Sequence, residues 1–214
     1  TSKNYDVINS TIRGGQTGVF TRKYIQEEEG GALFDLDCNA LYATVMLKFT
    51  YPCHDWKVEA IPSELQQWIE ELHASGRSAF IELDMVVKDR PFLYDYVPVA
   101  SKRDLKGIYS YEAMRFYNTE APDTMFFRGL TQVVGFHSHY CCHSRNLLWY
   151  LTHDVIEVKR VHYILSGKDE TVFKDYVQHN LDQRKRFADD PIKKMLYKLL
   201  NNSLYGKTYE DETQ

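Results

Sequence analysis

Cationic and polar side chains recur at helical spacing near the end of the 214-residue sequence. On a period of 3.6 residues, Lys194, Lys198, Asn202 and Tyr205 fall on one side of a helix. The other side is expected to pack, and comprises Ile192, Met195, Leu196, Leu199, Leu200 and Ser203. Two lysines four residues apart repel each other by roughly 0.2–0.5 kcal/mol on an isolated helix. A buried pair therefore predicts an anionic ligand, whereas an exposed pair predicts only a solvated face.

Flanking residues predict where this helix begins and ends. Asp189-Asp190 provides an acidic N-cap before Pro191, which suits the first helical position because its missing N–H is not needed there. Gly206 is expected to end the helix. The Gly206-Lys207-Thr208 segment resembles the end of a phosphate-binding P-loop, but position 201 is asparagine where that loop requires glycine. The predicted helix also precedes the segment instead of following it, so a P-loop is excluded.

A carboxylate lies at the junction of a predicted strand and a predicted helix. The apolar run 32–37 indicates a short strand that ends at Asp37, and residues 38–46 have helical spacing. An aspartate at the end of a strand is held rigidly enough to bind a metal ion. Aspartate is also a common N-cap, and the residues by themselves favour the cap.

Two motifs in this order resemble those of family B DNA polymerases. Residues 198–206 read K-x-x-x-N-S-x-Y-G, as in motif B, and residues 37–42 read D-x-x-A-L-Y, similar to the D-x-x-S-L-Y of motif A. The resemblance implies that Lys198 binds the triphosphate of an incoming nucleotide. It also implies that Asp37 is a catalytic ligand of Mg²⁺, and that Tyr42 lies beneath the sugar and excludes a 2′-hydroxyl.

A second basic helix is predicted directly before the first. Its apolar stripe runs from Val172 to Leu181 and is followed by Arg184-Lys185-Arg186, cations that also suit the negative end of a helix dipole. The two helices would form a hairpin, which is similar to the fingers subdomain of these polymerases. One triphosphate would then account for the cations on both arms. The implied nucleotide-binding residues are Tyr42, Arg184, Arg186, Lys194, Lys198, Asn202 and Tyr205.

Further segments resemble the protein-primed branch of that family. Arg13-Gly14-Gly15 is similar to the Y-x-G-G region that contacts template DNA; a plain turn is the alternative. Residues 143–151 and 206–211 resemble segments of polymerases from Polinton-type mobile elements. The resemblance implies a DNA template, a dNTP and a terminal protein that supplies the priming hydroxyl as partners.

Motif A departs from the usual pattern at two positions. Ala40 replaces the usual serine and Ala43 the usual proline, and adenoviral polymerases carry the same Tyr-Ala pair. The long interval between the two motifs suits the protein-primed branch, whose terminal-protein-binding insertion lies there.

The implied fold is α+β, with a partial polymerase palm built from an antiparallel sheet with helices and a helical hairpin as fingers. The predicted palm, with an insertion resembling the region that binds terminal protein, spans residues 1–165. The fingers span residues 166–206 and a tail spans residues 207–214.

A histidine- and cysteine-rich segment is a candidate zinc site, with His137, His139, Cys141, Cys142 and His143 as ligands. These residues do not form two pairs with the usual spacing, and on a strand they would point to both faces. The resemblance of residues 143–151 predicts instead that His143 begins a structural helix.

Other elements follow from periodicity. A strand is predicted at residues 79–87, with Glu82 and Asp84 on its solvent face. A helix is predicted at residues 61–75 and a strand at 155–165, whereas residues 104–136 predict no element.

Composition limits the functional classes. A net charge of −4 argues against a surface that binds nucleic acid generally, so a nucleic-acid role would be local to the basic C-terminal cluster. No apolar run is long enough to cross a bilayer, and no signal-peptide pattern opens the sequence. Four cysteines at unsuitable spacings predict no disulfide framework and a reducing compartment inside the cell.

The second catalytic aspartate of these polymerases lies in a Y-x-D-T-D motif beyond motif B, and this sequence contains no such motif. We therefore expect the chain to be incomplete and inactive alone, with the missing aspartate on another polypeptide of a larger assembly. The alternative is a polymerase-derived remnant that serves as a structural or nucleic-acid-binding subunit. Mitochondrial linear plasmids carry such polymerases, which suggests a mitochondrial setting.

Overall fold

The computed structural model describes residues 2–14, 30, 32, 34, 37, 38, 40–90, 99–106, 126–132 and 134–208. The helices in this part of the chain are α1 Ser2–Thr11, α2 Leu41–Lys48, α3 Leu65–Ala74, α4 Ser144–Thr152, α5 Lys174–Arg186 and α6 Pro191–Thr208. The strands are β1 Tyr51–Val58, β2 Arg77–Val87, β3 Ala100–Lys106, β4 Phe126–Gln132, β5 Gly135–His143 and β6 Ile156–Glu170.

Four of the strands form one antiparallel sheet in the order β1-β6-β2-β5, and β3 pairs with β4 in a separate antiparallel pair. Along β2 and β5, Ile81 lies opposite Cys142 and Met85 opposite His137. The register shifts between Leu83 and Met85. Helices combined with an antiparallel sheet confirm the predicted α+β class.

Alternation along β2 builds the core of one compact unit, which comprises residues 1–23, 57–75 and 79–166. Every second side chain of this strand is buried, namely Ala79, Ile81, Leu83, Met85 and Val87. These side chains belong to one apolar cluster with Ile69 of α3 and Leu147 of α4. The two helices therefore cover that face of β2.

The opposite face of β2 carries its acidic residues, and here one prediction is wrong. Glu82 is only 6% exposed, although it was expected to face solvent. Lys3 of α1 lies over this face and places its Nζ 2.5 Å from Glu82 Oε2. The alternation of β2 is predictable from its sequence, but the lysine that pairs with Glu82 comes from a distant segment.

A second compact unit comprises residues 24–56, 76–78 and 167–214. Within it, α2 packs against α5 and α6. Ala43 and Met46 of α2 form a buried cluster with Val177 of α5, and Leu204 of α6 packs at its edge. This cluster positions the segment after Asp37 against the C-terminal helix.

The side of α6 that was expected to pack is exposed, so that prediction is wrong. Its exposed apolar residues are Ile192, Met195, Leu196 and Leu199. Leu200 is the one residue of the predicted side that is half-buried. The other half-buried or buried positions are Tyr197, Asn201 and Leu204, which together with Leu200 also follow helical spacing. Both stripes fit the period, and the position of α5 decides which of them is covered.

Most other predicted elements are present. The structure confirms helices near residues 61–75 and 191–206, the strand at 79–87 and the strand at 155–165, which extends to Glu170. The final helix continues through Gly206 to Thr208, so the predicted glycine stop is wrong. Helix α1 and strands β1, β3, β4 and β5 were not predicted.

The predicted domain boundaries at 165 and 206 remain predictions. Much of the predicted strand before Asp37 lies outside the described residues, as do most of residues 104–136. No described helix is long and apolar enough to cross a membrane. All four cysteines lie in the described part of the chain and are free thiols there.

Candidate nucleotide-binding site

The tyrosines of the two polymerase-like motifs stack on each other. Tyr42 in the first turn of α2 and Tyr205 near the end of α6 have ring centroids 4.1 Å apart and planes inclined by 12°. Both rings are partly exposed. The stack therefore joins residues separated widely in sequence and presents aromatic surface that a base or sugar could contact.

The predicted cationic stripe runs along α6 from this stack. Lys194, Lys198 and Asn202 are exposed. Lys194 lies 11 residues before Tyr205, so the stripe is roughly 16 Å long at 1.5 Å per residue. Among the described residues, no carboxylate forms an ion pair with Lys194 or Lys198. Exposure of both lysines matches the solvated-face alternative, so an anionic ligand for them rests on the resemblance of motif B. Within the described chain, their ammonium groups are free to bind such a ligand.

A buried amide pair fixes the two arms of the hairpin against each other. Asn180 of α5 donates through Nδ2 to Oδ1 of Asn201 on α6 at 2.9 Å, and the two residues are 2% and 8% exposed. Because a buried amide without its partner is costly, this bond selects one register between the helices. Phe187, which follows α5, also stacks with Tyr197 of α6 at 6.0 Å.

The start of α6 confirms the predicted cap. Asp190 precedes Pro191, and its Oδ1 accepts the N–H of Lys193 at 3.1 Å. This backbone hydrogen bond and the Lys193 ammonium hold the pKa of Asp190 below its ordinary value. The cap thus fixes the first turn of the helix that carries Lys194.

The two arginines of the hairpin lie at the end of α5. Arg184 is half-buried, and Arg186 is exposed with its guanidinium 5.5 Å from the centre of the Phe187 ring. Neither arginine forms an ion pair with a carboxylate of the described chain. They are therefore two further cations within the same unit as the α6 stripe.

Asp37 is exposed and precedes α2 by four positions. The N-cap position of α2 is Ala40, which makes no capping hydrogen bond through its side chain, so the alternative that Asp37 caps this helix is wrong. Mg²⁺ is commonly bound through one or two carboxylates together with substrate phosphates. The exposed carboxylate of Asp37 could therefore supply one protein ligand to a Mg²⁺ ion.

The predicted DNA-contacting residues Arg13 and Gly14 line a cleft of about 770 Å³ in the other unit. Arg13 donates through Nη2 to the carbonyl oxygen of Cys141 at 2.7 Å and lies over the Tyr140 ring at 4.2 Å. These contacts make Arg13 partly structural. Gly14 is exposed with open space around it, and Gly15 lies outside the described residues.

Two comparisons with known proteins show what part of the chain resembles. Residues 136–209 match a family model described as DNA polymerase type B, organellar and viral. That range contains α4, β6 and both helices of the hairpin. No curated protein matches the sequence.

A solved structure of Phi29 DNA polymerase, in an orthorhombic crystal form, is similar to this chain with a TM-score of 0.50 and 18% sequence identity. The match covers 82% of this chain and 26% of the Phi29 chain, so the sequence spans about a quarter of that polymerase. At this identity the likeness shows the fold. The two comparisons support the interpretation of the chain as a portion of a type B DNA polymerase.

Of the five candidate zinc ligands at residues 137–143, only His139 belongs to a cluster of potential metal ligands in the described part of the chain. His143 is the N-cap of α4, accepting the Arg145 N–H through Nδ1, which confirms the predicted structural helix start. Cys141 and Cys142 are buried, and burial raises the pKa of Cys141 to about 11 and that of Cys142 to about 12. Their thiols are therefore protonated at neutral pH.

One cluster was missed by sequence reasoning. Asp84, His139 and His162 each place one potential ligand atom within 4.8 Å of the others. They come from three different strands. Their positions in sequence therefore gave no signal of proximity, although Asp84 and His139 were each noted singly.

Proposed function

We propose that this chain is the palm-and-fingers portion of a protein-primed type B DNA polymerase, and that α2 and α6 bind the incoming dNTP. The observation that carries the proposal is the stacking of Tyr42 on Tyr205, 4.1 Å between centroids, at one end of a lysine stripe that forms no ion pair within the described chain. A nucleotide has an aromatic end and an anionic end, and this surface offers complementary groups in that order.

The base and sugar would lie at the tyrosine end. Tyr205 offers an aromatic surface for stacking, and Tyr42 beneath the sugar would exclude a 2′-hydroxyl. Asn202, one turn before Tyr205 on the exposed side of α6, offers an amide to the polar groups of the nucleotide.

The triphosphate would extend along the lysine stripe. Lys198 and Lys194 lie one turn apart on α6, and each offers three N–H donors to phosphate oxygens. Arg184 and Arg186 on the neighbouring arm would add planar guanidinium donors, which suit phosphate. Holding the triphosphate aligns its α-phosphorus for attack, and positioning is the main contribution a protein makes to phosphoryl transfer.

Asp37 would be the catalytic carboxylate of this half of the site. Its side chain is exposed and would hold Mg²⁺, which when bound supplies charge neutralisation for the triphosphate and activation of the primer hydroxyl. A second aspartate, from a polymerase segment that contains the Y-x-D-T-D motif, would complete the site.

Template DNA would contact the Arg13-Gly14-Gly15 segment. Exposed Gly14 leaves the backbone open to close approach by a phosphate, and Arg13 supplies a positive charge in the cleft. In the protein-primed branch, the first hydroxyl would come from a terminal protein and the later ones from DNA.

Primer extension tests this proposal. The chain would be combined with a polymerase segment containing Y-x-D-T-D, supplied with primed DNA, Mg²⁺ and dNTPs. We expect extension that is abolished by Asp37→Ala and strongly reduced by Lys198→Ala. Lys174→Ala, at the exposed start of α5, is the matched control and should retain extension.

Failure of extension in every combination would contradict the proposed polymerase function and favour a structural or nucleic-acid-binding subunit. Extension that persists in Asp37→Ala would show that the catalytic carboxylate has been assigned wrongly.

A further inference from the structure

We propose that Asp84, His139 and His162 form a site for a divalent transition-metal ion, with Zn²⁺ as the expected occupant. Asp84 lies on β2, His139 on β5 and His162 on β6, three neighbouring strands of the sheet. All three residues belong to the same compact unit. Their ligand atoms already lie within 4.8 Å of one another.

A β-bulge aims His139 at this cluster. Leu83 pairs with Tyr140 and Met85 with His137, so Asp84 alone opposes both Ser138 and His139. His139 has a φ of 47°, a left-handed conformation that non-glycine residues rarely adopt. Asp84 Oδ1 accepts the His139 N–H at 2.8 Å and stabilises the bulge. Such bulges commonly redirect a side chain at a functional site.

Glu82 contacts the ring nitrogen of His139 that would not bind the metal ion. Its Oε1 lies 2.8 Å from His139 Nδ1, and its Oε2 is 2.5 Å from Lys3 Nζ. When Nδ1 carries the proton and donates to Glu82, the lone pair of His139 is on Nε2. Metal-binding histidines usually donate their second ring nitrogen to a carboxylate in this way, which fixes the tautomer and the ring orientation.

His162 supplies the third ligand atom. Its Nε2 is shielded from solvent and lacks an aligned hydrogen-bond partner within the described chain. That nitrogen lies 2.9 Å from Asp84 Oδ2, close enough for an ion pair but without hydrogen-bond alignment. A buried imidazole nitrogen beside a carboxylate oxygen is explained if both atoms bind one ion.

The ring of His139 needs a small adjustment to complete the site. It stacks on His162 with centroids 4.3 Å apart and planes inclined by 16°, whereas two ligands of one ion direct their lone pairs at a common point. The His139 side chain is 65% exposed, which leaves room for its ring to tilt while Nδ1 keeps its contact with Glu82. Asp84 and His162 are largely enclosed and would remain in place.

The donor set selects the class of ion. Two imidazole nitrogens and one carboxylate oxygen suit Zn²⁺ and related transition metals, whereas Mg²⁺ prefers oxygen ligands. The carboxylates of Glu82 and Asp84 contribute two negative charges, of which Lys3 offsets one within the described chain, so a dication is favoured electrostatically. The ion would tie three strands together and leave a fourth position for water.

Cobalt(II) titration of the purified 214-residue chain tests the site, because Co²⁺ substitutes for Zn²⁺ and absorbs visible light. We expect one equivalent of Co²⁺ to give visible d–d bands that Zn²⁺ displaces. No sulfur-to-cobalt charge-transfer band is expected, since none of the ligands is cysteine. His139→Gln and Asp84→Asn should each weaken Co²⁺ binding at least tenfold.

His153→Gln is the matched control. His153 is exposed, stacks on Trp149 and is not a member of the Asp84, His139 and His162 cluster. It should bind Co²⁺ as the wild type does. Asp37→Ala should also bind normally, which separates this site from the proposed nucleotide site. Circular dichroism of each variant establishes that it is folded.

The proposal is overturned if the wild type shows no saturable Co²⁺ or Zn²⁺ binding, or if His139→Gln binds as tightly as the wild type. Charge-transfer absorption from a thiolate would likewise overturn it, because the ion would then be bound elsewhere. If Asp84→Asn does not fold, His139→Gln at an exposed side chain is still the decisive variant.

Discussion

Removing the buried amide of Asn201 should loosen the hairpin that carries the cationic stripe. Asn201→Ala leaves Asn180 Nδ2, on a residue only 2% exposed, without its acceptor at 2.9 Å. An unsatisfied buried donor costs about 1–3 kcal/mol. We therefore expect α5 and α6 to open more readily by about that free energy.

Hydrogen exchange measures this locally. A loss of about 1–3 kcal/mol corresponds to roughly 5- to 150-fold faster exchange of the α5 and α6 amides. Amides of residues 79–87 of β2, which lie in the other compact unit, serve as the internal reference. Asn202→Ala makes the same chemical change at the next, exposed residue and should alter exchange little.

The paired substitution separates the hydrogen bond from simple packing. Asn180→Leu with Asn201→Leu removes both polar groups, so no buried donor is left, and it should cost less than Asn201→Ala alone. The reasoning is refuted if Asn201→Ala accelerates exchange less than about twofold, below the penalty for a buried unsatisfied donor. It is equally refuted if Asn202→Ala has the larger effect.

Three further outcomes are expected. Gly167→Ala would place its Cβ 2.9 Å from Pro52 Cβ and from the Trp56 ring. Urea denaturation should therefore show a loss of about 1–3 kcal/mol in the free energy of unfolding. Gly206→Ala, with open space around its Cβ, should show no such loss. Burial raises the pKa of Glu82, but hydrogen bonds from Lys3 and His139 outweigh it and hold the pKa below its ordinary 4.5. Glu82 therefore stabilises the fold above pH 4.5, and the stability difference between wild type and Glu82→Gln should shrink as pH falls below that value; a constant difference in urea midpoints would contradict this. Tyr42→Ala should lose about 0.5–1.5 kcal/mol of stacking energy that Tyr42→Phe retains, and equal thermal stability of the two variants would argue against the stack.

The hairpin shows what sequence periodicity can predict. Both helices, the Asp190 cap and the exposed Lys194 and Lys198 were predictable, because capping and helical spacing are local properties. Which apolar stripe of α6 would be buried was not, because two stripes fit the same period. The packing of Leu204 against α2 and the bond from Asn180 to Asn201 decide it, and both depend on other helices.

The cluster of Asp84, His139 and His162 could not be predicted from sequence spacing at all. His139 and Asp84 are 55 positions apart, and a one-residue bulge brings the His139 backbone to the Asp84 carboxylate. No spacing rule reports that contact. The stack of Tyr42 on Tyr205 was likewise not predictable from periodicity; only the resemblance of the two motifs placed both residues in one site.

Equilibrium binding of a dNTP with Mg²⁺ to the purified chain tests the central claim most directly, because it requires only the groups present on α2, α5 and α6. Isothermal titration calorimetry should detect saturable binding. Lys198→Ala removes a charge-assisted hydrogen bond worth about 1.5–3 kcal/mol, so binding should weaken by roughly 10- to 150-fold. Lys174→Ala should bind as the wild type does. Absence of dNTP binding, or equal affinity in Lys198→Ala and wild type, would contradict the account.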